Sequence, residues 1–306
     1  MAEVVDRTDV ADGTIAAAQP ASLRVTSKFR QFRRLPLIPM FFLSLFVFAG
    51  LTAPLISPHN PERGDIRARN VPPAWMEGGS TKYLLGTDHL GRDMLSRVIY
   101  GAQISLIVVV VTLGLGGVVG VVLGLVSGWY GGWVDELIMR VVDIKLAIPT
   151  ILLALVLVLA LGQSFLIIIV ILAIAIWPRF CRNVRGEVLQ LKTMDYVALA
   201  QVSGASTPRI LFKHIFPGVV NTLIILATLE VGIVILLEST LSFLGAGVPP
   251  PTPAWGSMVA DGRDRLAVAW WISTMPGVAI MMVVMSMNLF GDWLRDKLDP
   301  RLRQLS

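Results

Sequence analysis

Residues Val98–Val126 read VIYGAQISLIVVVVTLGLGGVVGVVLGLV, without a single charged side chain. An apolar run of more than about 18 residues is long enough to cross a bilayer as a helix. A barrel strand would instead alternate apolar and polar positions over roughly ten residues. The run therefore predicts a transmembrane helix. Five further long apolar runs lie on either side of it: Leu35–Ile56, Val134–Leu161, which opens amphipathically with Asp135, Glu136, Arg140, Asp143 and Lys145, Phe165–Cys181, Asn221–Leu244 and Val268–Leu294. The predicted fold class is an all-α integral membrane protein with six transmembrane helices.

The composition of the 306-residue chain agrees. Apolar residues make up 55% and charged residues only 15%, against roughly 25% charge in soluble domains. So few charges cannot cover a water-facing surface. That excludes an ordinary soluble enzyme and a disordered chain. Signal peptides have a shorter apolar core than Leu35–Ile56 and a small-residue cleavage site, so this run reads as a retained first span. The chain then divides into a tail at 1–34, the first span at 35–56, a polar loop at 57–97, a five-helix core at 98–294 with a polar loop at 182–220 inside it, and a tail at 295–306.

Lys and Arg set the orientation of short loops, with the cytoplasmic side richer. The tail before the first span carries six, Arg179–Lys213 carries six, and the final tail carries four. With six spans these three segments share one side, so both termini are expected in the cytoplasm. The loop after the first span also holds six, but long loops translocate with less regard to charge. The net charge of +5 fits this bias and gives no reason to expect a nucleic-acid partner.

Within Val98–Val126 and just beyond it, Gly116, Gly120, Gly124 and Gly128 recur at every fourth residue. On a helix they form one stripe, which lets another backbone approach closely. The partner is a helix of this chain or of another. Glu230 and Glu238 fall inside the fifth predicted span. An intramembrane carboxylate is expensive and seldom faces lipid. Glu230, at mid-depth, is expected to line a path or make a buried hydrogen bond. Glu238 either does the same, contacts another subunit or reaches the membrane surface. Pro149 and Pro178 interrupt the backbone ladder of the third and fourth predicted spans.

The polar loop contains DYVALAQVSGASTPRILFKHIFP, Asp195–Pro217. Tyr196–Val202 suits a short helix that Gly204 would end. Thr207 would cap a second one, with Pro208 at its first position. Pro217 is expected to stop it ahead of the fifth span. A compact exposed helix pair between two spans suits docking to a soluble partner.

This stretch resembles the EAA loop of the inner-membrane permease subunits of ABC importers. Ala198-Leu199-Ala200 stands at the Glu-Ala-Ala triplet, Gly204 at the glycine, and Phe216-Pro217 at the ending. The glutamate of the pattern is replaced by Ala198. Leu85–Asp93 (LGTDHLGRD) with Ser96-Arg97, Leu241–Gly247 (LSFLGAG) with Pro250, Pro253, Trp255 and Gly256, and Gly291–Pro300 (GDWLRDKLDP) resemble segments of the dipeptide/oligopeptide permease "C" subunits. The resemblance runs from about Arg34 to the end.

It implies a MetI-like ABC permease architecture in a bacterial inner membrane. It implies a sister permease, two ABC ATPase subunits that bind the ATP and magnesium, and an extracytoplasmic solute-binding protein. The docking residues it implies are Tyr196, Ala198, Leu199, Ala200, Gly204, Ala205 and Pro217. Members of that subfamily carry dipeptides, longer peptides, glutathione, nickel complexes or sugars, with di- and oligopeptides the expected class here and selectivity resting largely in the binding protein. Asp88, Gly91, Arg92 and Asp93 form a tight, charged turn in the long loop. That turn is either structural packing or a contact with the binding protein or sister subunit.

The sequence contains no P-loop pattern, no His-Glu-x-x-His and no Cys-x-x-Cys. Cys181 is the only cysteine, and His59, His89 and His214 are scattered, so no catalytic or metal site and no cofactor of its own is expected. The competing readings are an ion-coupled carrier with Glu230 or Glu238 titrating, which should show inverted repeats, and a non-transporting scaffold.

Overall fold

A computed structural model describes residues 36–298. The predicted tail at 1–34 and the residues after 298 lie outside the described part. Among the described residues the elements are helices, joined by loops with one isolated bridge between Thr87 and Asp93. They are α1 (Leu37–Ile56), α2 (Met94–Tyr130), α3 (Gly132–Ala147), α4 (Thr150–Leu161), α5 (Phe165–Leu191), α6 (Asp195–Val202), α7 (Thr207–Ile210), α8 (Phe216–Phe243), α9 (Trp255–Arg263), α10 (Leu266–Ala269) and α11 (Trp271–Leu298).

Five of these segments cross a membrane on length and composition, counting Thr207–Phe243 as one. The sixth crossing is the pair α3–α4, bent by 88°. The expectation of a continuous Val134–Leu161 helix with Pro149 inside is corrected here. Pro149 sits between the halves, and Ile148 before it is extended (φ −88°, ψ 125°). A proline ring disfavours the helical region for the residue ahead of it, and here Ile148 takes the extended alternative, so the span breaks at that point.

The stripe of glycines shows why the broken pair must still cross. A Cβ on Gly116 would stand 2.6 Å from Ile176, one on Gly124 2.8 Å from Cβ of Val184, and one on Gly128 2.7 Å from Cβ of Val188. Gly120 lies against the Trp177 carbonyl and Phe180. Contacts advance together along both chains, so α2 and α5 run parallel, backbone on backbone. Two parallel neighbours need an antiparallel return between them. The return starts at Asp135, whose carboxylate takes Arg185 Nε at 2.5 Å and Nη2 at 2.6 Å. It ends near Gln163, which donates to the Gly247 carbonyl at 2.8 Å.

α8 runs antiparallel to α5, with Thr222 on Glu187 and Glu230 on Arg179. α11 runs antiparallel to α8, with Gly232 against Asn288 and Gly291 against Leu229. α1 packs on the start of α2 through Gly50 and Ala102. The molecule thus has an α6 end, which also holds the start of α1 and the end of α11. The far end holds the 57–93 loop, the 162–164 turn and the 244–270 segment.

Other boundaries also move. α5 continues past Cys181 and through Pro178 to Leu191, so much of the expected polar loop at 182–220 is helix. Pro217 does not stop a helix. The chain passes from α7 through a π-turn at Leu211–Ile215 directly into α8, with the Phe216 N–H on the Leu211 carbonyl. A proline lacks the N–H and crowds the carbonyl four residues back, and a widened turn relieves both. Thr207 is the first residue of α7, and Ser206 precedes it as the cap position.

Candidate functional site

Three parts of the molecule carry polar chemistry, and each is built from short-range rules. The first is the α6–α7 tip. α6 ends in a Schellman closure: Ala205 N–H donates to the Ala200 carbonyl and Gly204 N–H to Gln201, both at 3.0 Å. That closure requires a left-handed residue after the cap, and Gly204 supplies it at φ +75°. Val197 is fully buried, in a small core with Val184, Val188, Ile210, Ile215 and Val219. The other face is bare. Tyr196, Ala198 and Leu199 are exposed, Val202 is 88% exposed, and Phe212 adds a further exposed ring. Apolar residues gathered on a loop outside the spans mark a protein contact rather than a solvated surface. Ala200 and Ala205 face the small core, and Pro217 lies at the base of α8.

The second part is a charged knot at the far end. Asp88 accepts from Leu90 N at 2.8 Å, Arg92 N at 2.9 Å and Arg92 Nε at 2.6 Å, and lies 3.6 Å from Arg97 Nε. Arg92 and Arg97 also approach Asp261 of α9, at 3.5 and 3.9 Å. Asp93 caps α2 through Ser96 N and Oγ, at 3.0 and 2.6 Å. Gly91, at φ +73°, turns the chain against the Asp65 carbonyl. Trp271 Nε1 donates to Thr87 O and Trp255 Nε1 to Val98 O. The knot therefore binds the long loop to α2, α9 and α11. His89 lies beside it, and burial pushes its imidazole below the ordinary histidine value.

The third part lies between α5 and α8, where Glu230 and Lys145 are buried while Arg179, Asn183 and Gln190 are exposed. Glu230 is 2% exposed. Arg179 Nη1 donates to its Oε1 at 3.1 Å, while Oε2 has no hydrogen-bond partner. Lys145 and Thr150, on either side of the α3–α4 break, line the same cavity of about 240 Å³. Ala175, which takes the Lys145 ammonium at 2.6 Å, stands about 15 Å along α5 from Phe165 at the helical rise per residue. From Arg179 a polar stripe descends α5 through Asn183, Glu187 and Gln190. The last three line a second cavity of about 700 Å³ with Asn221 and Thr222 of α8.

Glu238 plays another part. It is 1% exposed, with Ser242 Oγ donating to its Oε1 at 2.6 Å, and Ser242 in turn accepting from Val248 N at 3.2 Å. The carboxylate pins the turn after α8 and does not reach a surface.

Sequence reasoning singled out Glu230 but not Lys145, Arg179, Asn183, Glu187 or Gln190. For Arg179, Asn183, Glu187 and Gln190 the signal was an i, i+4, i+8, i+11 spacing on α5, and for Lys145 a charge four residues ahead of Pro149. The cluster Arg179, Arg182 and Arg185 hides the α5 spacing, because it reads as the start of a polar loop after Cys181. Among the described residues no group of three His, Cys, Asp or Glu could hold a metal.

Six crossings, a polar stripe exposed along α5 and an apolar-faced helix pair at one end suit a membrane permease. The model of the family described as "Binding-protein-dependent transport system inner membrane component" matches residues 120–304. The chain is 45% identical over 267 residues to the dipeptide transport system permease protein DppC of Escherichia coli K12, covering 87% of this chain and 89% of that one. It is 41% identical over 264 residues to the di/tripeptide transport system permease protein DppC of Pseudomonas aeruginosa, covering 86% and 87%. The fold matches a chain of the inward-facing methionine ABC transporter MetNI at TM-score 0.54 and 19% identity, covering 67% of this chain and 98% of that one. The chain belongs to the binding-protein-dependent transport system inner membrane component family. It is a multi-pass inner-membrane protein, the non-catalytic permease subunit of an ABC importer.

Proposed function

We propose that this chain forms half of the translocation path of an ATP-driven importer for di- and tripeptides. Its partners are a sister permease, two ATPase subunits that hold ATP and magnesium, and a binding protein that delivers the peptide. The observation that carries the docking assignment is the exposed apolar face of α6, held rigid by the Gly204 closure. It presents Tyr196, Leu199 and Val202 to a soluble ATPase surface. Ala198 stands where the family pattern has a glutamate, so this contact rests on packing rather than on a charge at that position. Closure of the ATPase pair on ATP moves α6, and the continuous α7–α8 helix carries the movement toward Glu230.

The α6 end is cytoplasmic in this reading. Lys192, Arg209, Lys213, Arg295 and Lys297 gather there, as the positive-inside rule asks. Two of the six basic residues of the opposite loop, Arg92 and Arg97, are buried against Asp88, which weakens the counter-signal. The far end is then extracytoplasmic and receives the binding protein. The relatives' names support a peptide substrate.

The test is uptake of a labelled dipeptide into proteoliposomes holding the four-subunit complex with its binding protein outside. ATP-dependent accumulation that needs the binding protein is expected. Accumulation driven by a proton gradient without ATP would overturn the reading in favour of an ion-coupled carrier.

A further inference from the structure

Three charges meet where the third span breaks. Lys145 closes α3 with its ammonium on Ala175 O at 2.6 Å and Thr150 Oγ1 at 3.4 Å. No carboxylate of the described residues lies within ion-pair distance of it. Arg179 spends one N–H on Glu230 Oε1. Glu230 Oε2 is buried without a donor. All three side chains line the cavity of about 240 Å³ that α3, α4, α5 and α8 enclose.

Two cations against one carboxylate leave one positive charge unanswered. One carboxylate oxygen lacks a hydrogen to accept. Buried polar atoms are otherwise nearly always paired, and an intramembrane ionisable group marks a substrate path by default. A ligand that satisfies both needs must carry a carboxylate and an N–H donor of its own. A zwitterion does.

We propose that this cavity is a way-station for the charged ends of a short peptide. Glu230 Oε2 accepts from the peptide's ammonium, and Lys145 with Arg179 answers its terminal carboxylate. The proposal rests on the peptide-importer reading above. Binding here is weak, because a site inside a path must release what it takes. The stripe Asn183, Glu187 and Gln190 then offers neutral and charged partners on the way to the larger cavity. The break at Ile148–Pro149 matters to this role. Non-helical backbone at membrane depth is tolerated where it lines a cavity, and this break places Lys145 and Thr150 on the cavity wall.

Saturation-transfer NMR tests the site directly. The probe is a dipeptide at millimolar concentration on the assembled permease–ATPase complex in nanodiscs, without the binding protein. Empty nanodiscs correct for partition into lipid. The free dipeptide is expected to receive magnetisation. Lys145→Met and Glu230→Gln each weaken that signal about tenfold, the scale of one lost charge-assisted contact. Lys145→Arg restores it, and the dipeptide's C-terminal amide gives the weaker signal on the wild type. No wild-type signal, or a signal that Lys145→Met leaves unchanged, overturns the proposal. So does pairing of Lys145 with Glu230 in the assembled complex. Uptake by the same complex with its binding protein separates the two readings: uptake without the NMR signal sinks the way-station alone, and no uptake sinks the peptide reading with it.

Discussion

Arg179 Nη1 lies 3.1 Å from Glu230 Oε1, and this contact joins α5 to α8 halfway across the bundle. The same two helices carry the cavities above and below it. Glu230 is buried while Arg179 is half exposed, so removing Arg179 leaves a buried carboxylate without its cation, at a cost below that of breaking a fully buried pair. Arg179→Met is therefore expected to lower the yield of folded protein sharply. Arg179→Met combined with Glu230→Gln restores the yield but not the uptake. Size-exclusion profiles in mild detergent and proteoliposome uptake measure the two effects. A folded, transporting double variant would make the pair a bystander.

Gly120 has no room for a side chain. A leucine there would enter the Trp177 carbonyl and Phe180. Overpacking of this kind costs ~1–3 kcal/mol or more, and here it would also separate α2 from α5. Gly120→Leu should lower the melting temperature of the purified protein or abolish its folding. Gly114, with nothing within 4 Å of its Cβ position, should accept alanine without loss. Equal melting temperatures for Gly120→Leu and Gly114→Ala would refute the close approach of the two helices.

Gly204 is different, because space around it is open and its conformation is the constraint. A non-glycine residue pays about 1–2 kcal/mol in the left-handed region, and asparagine tolerates it better than most. Insertion should be unchanged in Gly204→Asn, Gly204→Asp and Gly204→Val, while ATP-driven uptake falls in that order. Normal uptake by Gly204→Asp would remove the docking role from this turn.

Asp88 holds Arg92 and Arg97 in the far-end knot. Asp88→Asn leaves two buried guanidinium groups with only the partly exposed Asp261 as a carboxylate partner, and breaking buried pairs costs up to about 3–5 kcal/mol. A fall in melting temperature of several degrees is expected. Leu84→Ala, at an exposed position of the same loop, should leave it unchanged. A similar melting temperature for Asp88→Asn would show that the ion pairs add nothing to the knot.

Six crossings were legible in the sequence because apolar length alone decides them. So was the turn at Gly204, where a glycine follows an apolar helix and a proline opens the next. The broken third span was not, although Pro149 was visible. Whether a proline kinks a helix or splits it depends on what fills the gap, and here Lys145 and Thr150 line it across from α5. The polar stripe on α5 was missed because Arg179, Arg182 and Arg185 look like the start of a loop. In the fold Arg185 pairs with Asp135 and Arg182 with Asp143 of α3. Those pairs let α5 stay helical through its charged third. The partner of the glycine stripe was also open, since a spacing of four says how closely a helix can be approached but not by which neighbour.

The most direct measurement is affinity purification of the tagged chain from native membranes in mild detergent, followed by mass spectrometry and an ATPase assay. The account predicts a second six-helix permease, two P-loop subunits and ATP hydrolysis stimulated by the peptide-loaded binding protein. Recovery of the chain alone, with proton-driven peptide uptake in vesicles, would contradict it.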